Sequence, residues 1–390
     1  MLDNHRVLCD NAHMRKMYEY RIYPTKKQET RLNETLEECR WLYNHLLEKR
    51  KEVYDQTGKG LTLYQQQETF PILKAERPTL KAIHSQVLQN VAVRIDLAFK
   101  AFSRRVREQI EDPGYPRFKG KGRYDSITYP QSGFKIDEQG KLYASVIGHI
   151  KIVLHRKIKG KIKTLTIRRS STGKWYVCFS VECEPERLPE RPEQVGIDIG
   201  LKTFATLSTG EEIANPRFFR KEEKALAKAQ RKHSKLAKGS PERRKHRKAI
   251  ARVYERITFR RDNFTHQESR RLVDSFGVIA VEDLRVNRMI HNHCLAKSIH
   301  DASWSEFFNK LAVKAEEAGR KYIAVNPAYT SQDCSRCHHR QSIPLSERVY
   351  HCPYCHVHLD RDLNAALNIC ALGLQGLGLS VEAPGFIRGE

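Results

Sequence analysis

Two short segments, Cys334-Ser-Arg-Cys337 and Cys352-Pro-Tyr-Cys355, restrict what the C-terminal third of this 390-residue chain can form. Each Cys-x-x-Cys bends so that two thiolates aim at one point, and four thiolates at ~2.3 Å complete a tetrahedral zinc shell. The 14 residues between the pairs are one fewer than the usual gap of paired zinc knuckles. A shell closed by four thiolates has no position for a reacting water. Zn2+ therefore has a structural role here, and an iron–sulfur or redox use of these cysteines is the lesser alternative. His338, His339, His351, His356 and His358 stand close enough to replace a thiolate, but four thiolates make that unnecessary. Cys9, Cys39, Cys178, Cys183, Cys294 and Cys370 are scattered and read as ordinary thiols, as a reducing compartment requires.

Four residues beyond Cys355, "LDRDLNAALNI" opens a final helix with Asp362 near its start. Two further acids lie in strand-like runs. Asp198 sits within "VGIDIG", where an ionised carboxylate is costly to bury without a partner. Glu282 ends "VIAVE", at the carboxyl edge where α/β sheets place ligands. Taken singly, each has a plainer reading: a satisfied buried acid for Asp198, a strand-end acid for Glu282 with Asp283 as rival, and a helix cap for Asp360 or Asp362. Taken together, three acids on three elements of one sheet can converge on a pair of Mg2+ (or Mn2+) ions that activate water at a phosphodiester. The order strand acid, strand acid, helix acid is that of an RNase H-like nuclease. The zinc loop, inserted just before Asp362, would be a substrate-holding arm beside that site.

Charge supports a polyanionic substrate. Seventy Lys and Arg against 46 Asp and Glu leave +24, and a basic excess of that size suits nucleic acid. Arg217 to Arg261 alone carries 18 basic and 4 acidic residues. Too few acids are present to pair that stretch off along its own helices. The 39% apolar fraction contains no run near the ~18 residues of a membrane span, so a soluble protein of the cell interior is expected.

Periodicity organises the rest into a multidomain α+β chain. "YEYRIYPT" alternates like a strand, and Leu32, Leu36, Cys39, Tyr43 and Leu46 then recur at helical spacing. Val87, Val91, Ile95, Ala98, Phe102 and Val106 repeat that pattern, which predicts a helical bundle between Lys26 and Glu111. "EDPGYPRFKGKG" breaks helicity and reads equally as a linker or as a phosphate-facing segment. Short strands of barrel or sandwich type follow from Phe134 to Glu182, with "SSTGK" as a hairpin turn. Beyond the linker "EPERLPERPEQ" an α/β domain begins at Gln194. Two basic helices flank "AKGSPER", with Ser240 as cap and Pro241 as first helical residue. Ser303 and Glu306 read as a capping box.

The motifs "GIDIG", "VEDL", "LAKSIHDASW", "NPAYTSQDCSRC" and "LDRDLNAALNI" resemble the transposon-encoded TnpB family, compact relatives of type V CRISPR effectors. "YRIYPTKKQ", "RWLYNHLL" and "YPRFKGK" resemble its N-terminal half. The resemblance implies a prokaryotic, cytoplasmic, nucleoid-associated, RNA-guided DNA endonuclease, monomeric with its guide RNA and acting on double-stranded DNA. It implies a strand-rich wedge domain (14–25 and 112–190) with an inserted helical recognition domain (26–111). A RuvC-like nuclease domain (194–329 and 359–373) would follow, containing the basic helices 217–265 and interrupted by a zinc-binding insertion (330–358). Residues 1–13 would be a disordered leader and 374–390 a disordered tail. By motif, Asp198, Glu282 and Asp362 would be catalytic and hold Mg2+, and Cys334, Cys337, Cys352 and Cys355 would hold Zn2+. An RNA-guided binding repressor, a transposase or its DNA-binding accessory, and a structure-selective nuclease are the alternatives.

Overall fold

The computed structural model describes residues 14–344 and 346–379. The chain divides into two compact units, one ending at Glu184 and the other starting at Pro185. No helix among the described residues is long and apolar enough to cross a membrane. The expected leader and all but the first residues of the expected tail lie outside the described residues.

In the first unit, strand β1 (Met14–Tyr23) buries alternate residues Tyr18, Tyr20 and Ile22. Thr25 and Gln28 then form a reciprocal capping box that starts α1 (Lys26–Thr57). Short helices α2 (Leu63–Glu68) and α3 (Phe70–Glu76) and a 3-10 turn (Pro78–Ala82) lead to α4 (Ser85–Arg107). The helical spacing read from the sequence is buried in one core from Leu32 to Leu46 and from Val87 to Ile95, but Val106 is exposed, so the α4 stripe ends earlier than expected. The "EDPGYPRFKGKG" segment is an ordered strap. Tyr115 packs edge-on against Phe99 and Phe102, and Lys119 exchanges backbone hydrogen bonds with the Asn44 amide of α1 at 2.7 and 3.0 Å.

The remaining strands are β2 (Ser126–Tyr129), β3 (Phe134–Ile136), β4 (Leu142–Ala144), β5 (Gly148–Val153), β6 (Lys161–Arg169) and β7 (Trp175–Cys183). They complete a seven-stranded antiparallel sheet in the order β2-β6-β7-β1-β5-β4-β3. Its two edges, β2 and β3, follow one another in the chain, and the buried Tyr129 hydroxyl of β2 donates to the Ser145 carbonyl at 2.9 Å. These short links curl the sheet toward a barrel.

The second unit is built on β8 (Gln194–Ile199), β9 (Thr203–Leu207), β10 (Glu212–Ala214), β11 (Val278–Glu282) and β12 (Lys321–Val325), in the order β10-β9-β8-β11-β12. β8, β11 and β12 are mutually parallel, and β9 and β10 extend the sheet antiparallel. Between β10 and β11 run the basic helices α5 (Phe218–Ser234) and α6 (Pro241–Ser275). The Ser240 hydroxyl caps α6 by accepting from the Arg243 amide, as the sequence predicts. Helices α7 (Val286–Met289), α8 (His293–Ala302) and α9 (Trp304–Ala318) lie between β11 and β12. The small hairpin β13 (Val349–His351) and β14 (His358–Asp360) precedes the last helix, α10 (Arg361–Gly376).

Two expectations are corrected here. Ser303 makes no capping box: it ends α8 and begins α9 at φ 56°, a left-handed conformation that prevents the extended N-cap geometry, and its hydroxyl donates back to the His300 carbonyl. The start of the expected disordered tail is helical, since α10 runs to Gly376 with Leu374 buried.

Candidate metal centres

Asp198 lies one residue from the carboxyl end of β8, and Glu282 ends the neighbouring β11. The parallel register pairs Ile197 with Val281, so the next step along each strand sets Asp198 beside Glu282 at one edge of the sheet. Asp283 follows and faces elsewhere, toward Tyr322 on β12, whose pKa is raised by burial and then by the Asp283 charge, as the alternation of side chains along extended chain requires. Glu282, not its rival, shares an edge with Asp198.

Asp362 reaches the same edge by helix packing. Gly196 has no Cβ to hold α10 away, and any Cβ there would strike the Ala366 carbonyl oxygen and stand 2.5 Å from the Cys370 amide. One turn further, a Cβ on Gly373 would be 2.5 Å from the Ala280 methyl. Gly196, Ala280 and Ile323 are register partners on β8, β11 and β12, so α10 crosses the sheet from β8 toward β12, and its N-terminal turn lies on the β8 side with Asp362 close enough for its charge to act on Asp198. Asp360 is the cap, accepting from the Asp362 and Leu363 amides. This leaves the Asp362 carboxylate uncommitted to capping, with Arg348 at 4.0 Å.

The electrostatics reflect three crowded acids. Burial, then the Glu282 and Asp362 charges, push Asp198 up to about 8, against the opposing pull of Arg361. Burial raises Glu282, partly offset by a hydrogen bond from Thr330. Burial and the Asp360 charge raise Asp362. Among the described residues no trio of carboxylates closes to the 4.8 Å span reached by the cysteines. A hard-oxygen donor set short of positive charge fits a divalent cation such as Mg2+.

The four cysteines do close. Their Sγ atoms lie within 4.8 Å of one another, with Cys334 to Cys355 at 3.5 Å and Cys337 to Cys352 at 3.6 Å. Tetrahedral zinc at ~2.3 Å per sulfur puts neighbouring sulfurs at ~3.8 Å, so the cluster fits Zn2+, and it is too wide for disulfides. Both knuckles use one turn design. The amide after each second cysteine, of His338 and of His356, donates to the first cysteine's carbonyl, and both residues are left-handed at φ 60° and 59°. Buried Tyr350 and Val357 supply the rest of a very small core, so a bound metal would replace missing apolar packing. Removing zinc by chelation, or Cys352→Ser, is expected to empty the site and melt this module; zinc content and circular dichroism measure it.

Sequence reading missed what joins the two centres. The Thr330 hydroxyl donates to Glu282 Oε1 at 2.6 Å. Asn368 of α10 donates to the Thr330 and Asp333 carbonyls at 2.8 and 2.7 Å, and Asn364 holds the Asp333 carbonyl and the Ser335 amide, both at 2.9 Å. The available signal was Asn at i and i+4 inside a helix, a position where Asn is unfavourable unless its amide has work to do.

The basic stretch forms the α5–α6 hairpin around a small core of Leu226, Val253 and Ile257. Its few acids are used between helices: Glu222 receives Arg256 and Arg260 at 2.8 and 3.0 Å, and Glu223 pairs with Lys297 of α8. Lys228, Lys232, Lys235 and Lys238 remain exposed.

Comparison with known proteins follows the same division. Family models match at residues 177–293 ("Probable transposase"), 304–369 ("Cas12f1-like, TNB domain") and 14–59 ("Helix-turn-helix domain"). A Streptomyces pristinaespiralis protein provisionally named an RNA-guided DNA endonuclease is 34% identical over 93% of this chain and 90% of its own length. The chain belongs to the TnpB family. The Escherichia coli K12 relative InsQ, with the same provisional name, is 29% identical over 91% of this chain and 92% of its own. The fold resembles Cas12f1 in a cryo-EM complex with single guide RNA and target DNA, with a TM-score of 0.59 at 14% identity, covering 92% of this chain and 99% of that one. In this TnpB-family chain, residues 14–59 form β1 and one continuous helix, not a helix-turn-helix.

Proposed function

We propose that this TnpB-family chain is an RNA-guided DNA endonuclease whose second unit is an RNase H-like, RuvC-type nuclease with Asp198, Glu282 and Asp362 as its catalytic carboxylates. The observation that supports the site is this arrangement: neighbouring strand ends bear Asp198 and Glu282, and α10, seated on Gly196, brings the Asp362 charge to bear on Asp198. The family membership carries the RNA-guided reaction.

When bound between these acids, two divalent cations would activate a water and stabilise the leaving oxygen of a DNA phosphodiester. The chain's own part is to fix three carboxylates at one sheet edge; burial and mutual repulsion raise their pKa values, Asp198 to about 8, and bound cations would favour their ionised forms. Arg361, 8% exposed and bonded to the Pro344 carbonyl at 2.9 Å, supplies one fixed positive charge nearby. The cysteine module (330–358) would bind Zn2+ and steady the polynucleotide beside the acids. The sheet-and-helix first unit (14–25 and 112–190, with 26–111 inserted) would hold guide RNA and read a short motif flanking the target. Specificity would come from base pairing, as in other RNA-guided effectors. The working form is a monomeric ribonucleoprotein.

Purified with RNA transcribed from its own transposon end, the protein is expected to cut a plasmid carrying the matched target beside one flanking motif, dependent on RNA and on Mg2+ or Mn2+. RNA-dependent binding without cutting would replace this reading with that of a repressor. Phosphate contacts also predict steep salt dependence, with affinity falling about 10³-fold or more between 50 and 200 mM salt. Lys228→Gln, Lys232→Gln and Lys235→Gln together are expected to flatten that slope by roughly 2, read from binding isotherms at four salt concentrations.

A further inference from the structure

The geometry points to Thr330 as a positioning residue for Glu282: its hydroxyl fixes the carboxylate, and α10 and the cysteine module fix Thr330 in turn. This inference rests on the nuclease reading above and adds to it a physical connection between the zinc knuckle and the reaction.

The connection consists of buried and half-buried hydrogen bonds of 2.6 to 2.9 Å. Thr330 is 4% exposed, and its hydroxyl faces Glu282 Oε1 at 2.6 Å, with the Pro327 carbonyl a more distant second acceptor at 3.2 Å. A hydroxyl has one proton to give, and the charged acceptor at the shorter distance takes it. Glu282 Oε1 is thereby tied, and the carboxylate's rotation about its last bond is limited. Thr330 cannot drift with the loop, because the Asn368 amide, 6% exposed, holds its carbonyl. The same Asn368 amide holds the carbonyl of Asp333, the residue before the first zinc ligand, and Asn364, fully buried, holds Asp333 and Ser335 on either side of Cys334. α10 thus serves both centres: Asp362 stands in its first turn, while Asn364 and Asn368, one turn apart on another face, hold the entry to the first knuckle and the Glu282 partner.

This explains why a metal clamp stands beside the carboxylates. A knuckle without its metal has too little core to hold its entry turn, and the Asp333 and Ser335 partners of α10 would loosen with it. Hydrogen bonds that orient a metal-binding carboxylate typically change metal affinity or rate by 10–100-fold when removed.

The test compares Thr330→Val, which keeps shape and loses the hydroxyl, with Thr330→Ser, which keeps the hydroxyl, in the assembled RNA–protein complex. Single-turnover cleavage is measured across a range of Mg2+ concentrations, with target binding and zinc content measured on the same samples. Thr330→Val is expected to cut about 10–100-fold more slowly at low Mg2+, to recover part of the rate at high Mg2+, and to bind target and zinc as wild type does; Thr330→Ser should restore most of the rate. Glu282→Gln is run alongside. If Glu282→Gln is inactive while Thr330→Val cuts at the wild-type rate and Mg2+ dependence, the positioning role is overturned and the nuclease reading stands. If Thr330→Val loses zinc or target binding in step with rate, Thr330 is structural and the positioning role is likewise overturned. If Glu282→Gln cuts normally, the site assignment fails and this inference falls with it.

Discussion

Asp198→Asn is expected to slow cleavage by about 10³-fold or more while leaving RNA and target binding within about twofold of wild type. On the proposed reading the carboxylate belongs to a cation site at the strand ends, whereas grip on nucleic acid would come from basic surface. The same variant should stabilise the metal-free protein, and the sign follows from linkage. Asp198 is raised to about 8 in the folded chain by burial and by Glu282 and Asp362, against about 3.9 unfolded. Its contribution to stability is complete below pH ~4 and is lost as pH rises through the folded value near 8. Asn carries no such penalty. The melting-temperature advantage of Asp198→Asn is expected to be near zero at pH 4, to grow toward pH 8 and then to level off. Full linkage over that interval is about 6 kcal/mol, and partial exposure of the edge reduces it to about 2 kcal/mol. Glu282 and Asp362 shift in the same direction, so their amides should show smaller gains of the same sign. Added Mg2+ should raise the wild-type melting temperature more than the variant's. A variant that melts lower than wild type at pH 8 without metal would contradict the crowded-acid description.

Gly196→Ala is expected to be among the most damaging single-methyl additions in the second unit. A Cβ there meets backbone, the Ala366 carbonyl and Cys370 amide, not the end of a movable side chain. Relief requires α10 to lift from β8. Overpacking of this kind costs about 3 kcal/mol, or roughly 10 °C in melting temperature for a unit of this size. Cleavage should fall by about 10²-fold even at temperatures where the variant stays folded, because Asp362 travels with α10 and a shift near 1 Å is enough. Gly60→Ala, with open space around it and no left-handed φ, is the control and should be neutral in both measurements. Normal cleavage by folded Gly196→Ala would show that Asp362 does not depend on this packing.

The sequence was legible wherever one local requirement dominates. Apolar runs marked β8 and β11 because both faces of a parallel strand are covered, and Ser240-Pro241 marked the start of α6 because cap and first-turn chemistry are local. Ser303 shows how local reading fails. Its Ser-x-x-Glu pattern fits a capping box, but α8 ends on the same residue and imposes a left-handed backbone. The "EDPGYPRFKGKG" segment fails for another reason. Its partners, Asn44, Phe99 and Phe102, lie on two helices whose meeting composition does not reveal.

By itself the sequence determined the four-cysteine cluster, the basic helix pair, the elements bearing Asp198, Glu282 and Asp362, and the family. These depend on residue type and spacing along the chain. Only the tertiary structure decided that Asp360 and not Asp362 caps α10, that Glu282 and not Asp283 shares an edge with Asp198, and that Thr330, Asn364 and Asn368 connect the zinc knuckle to the carboxylates. The physical reason is that a strand register, a helix seated on a glycine and a hydrogen bond between residues 48 positions apart are relations between elements, and each is fixed by packing that no local stretch of sequence contains.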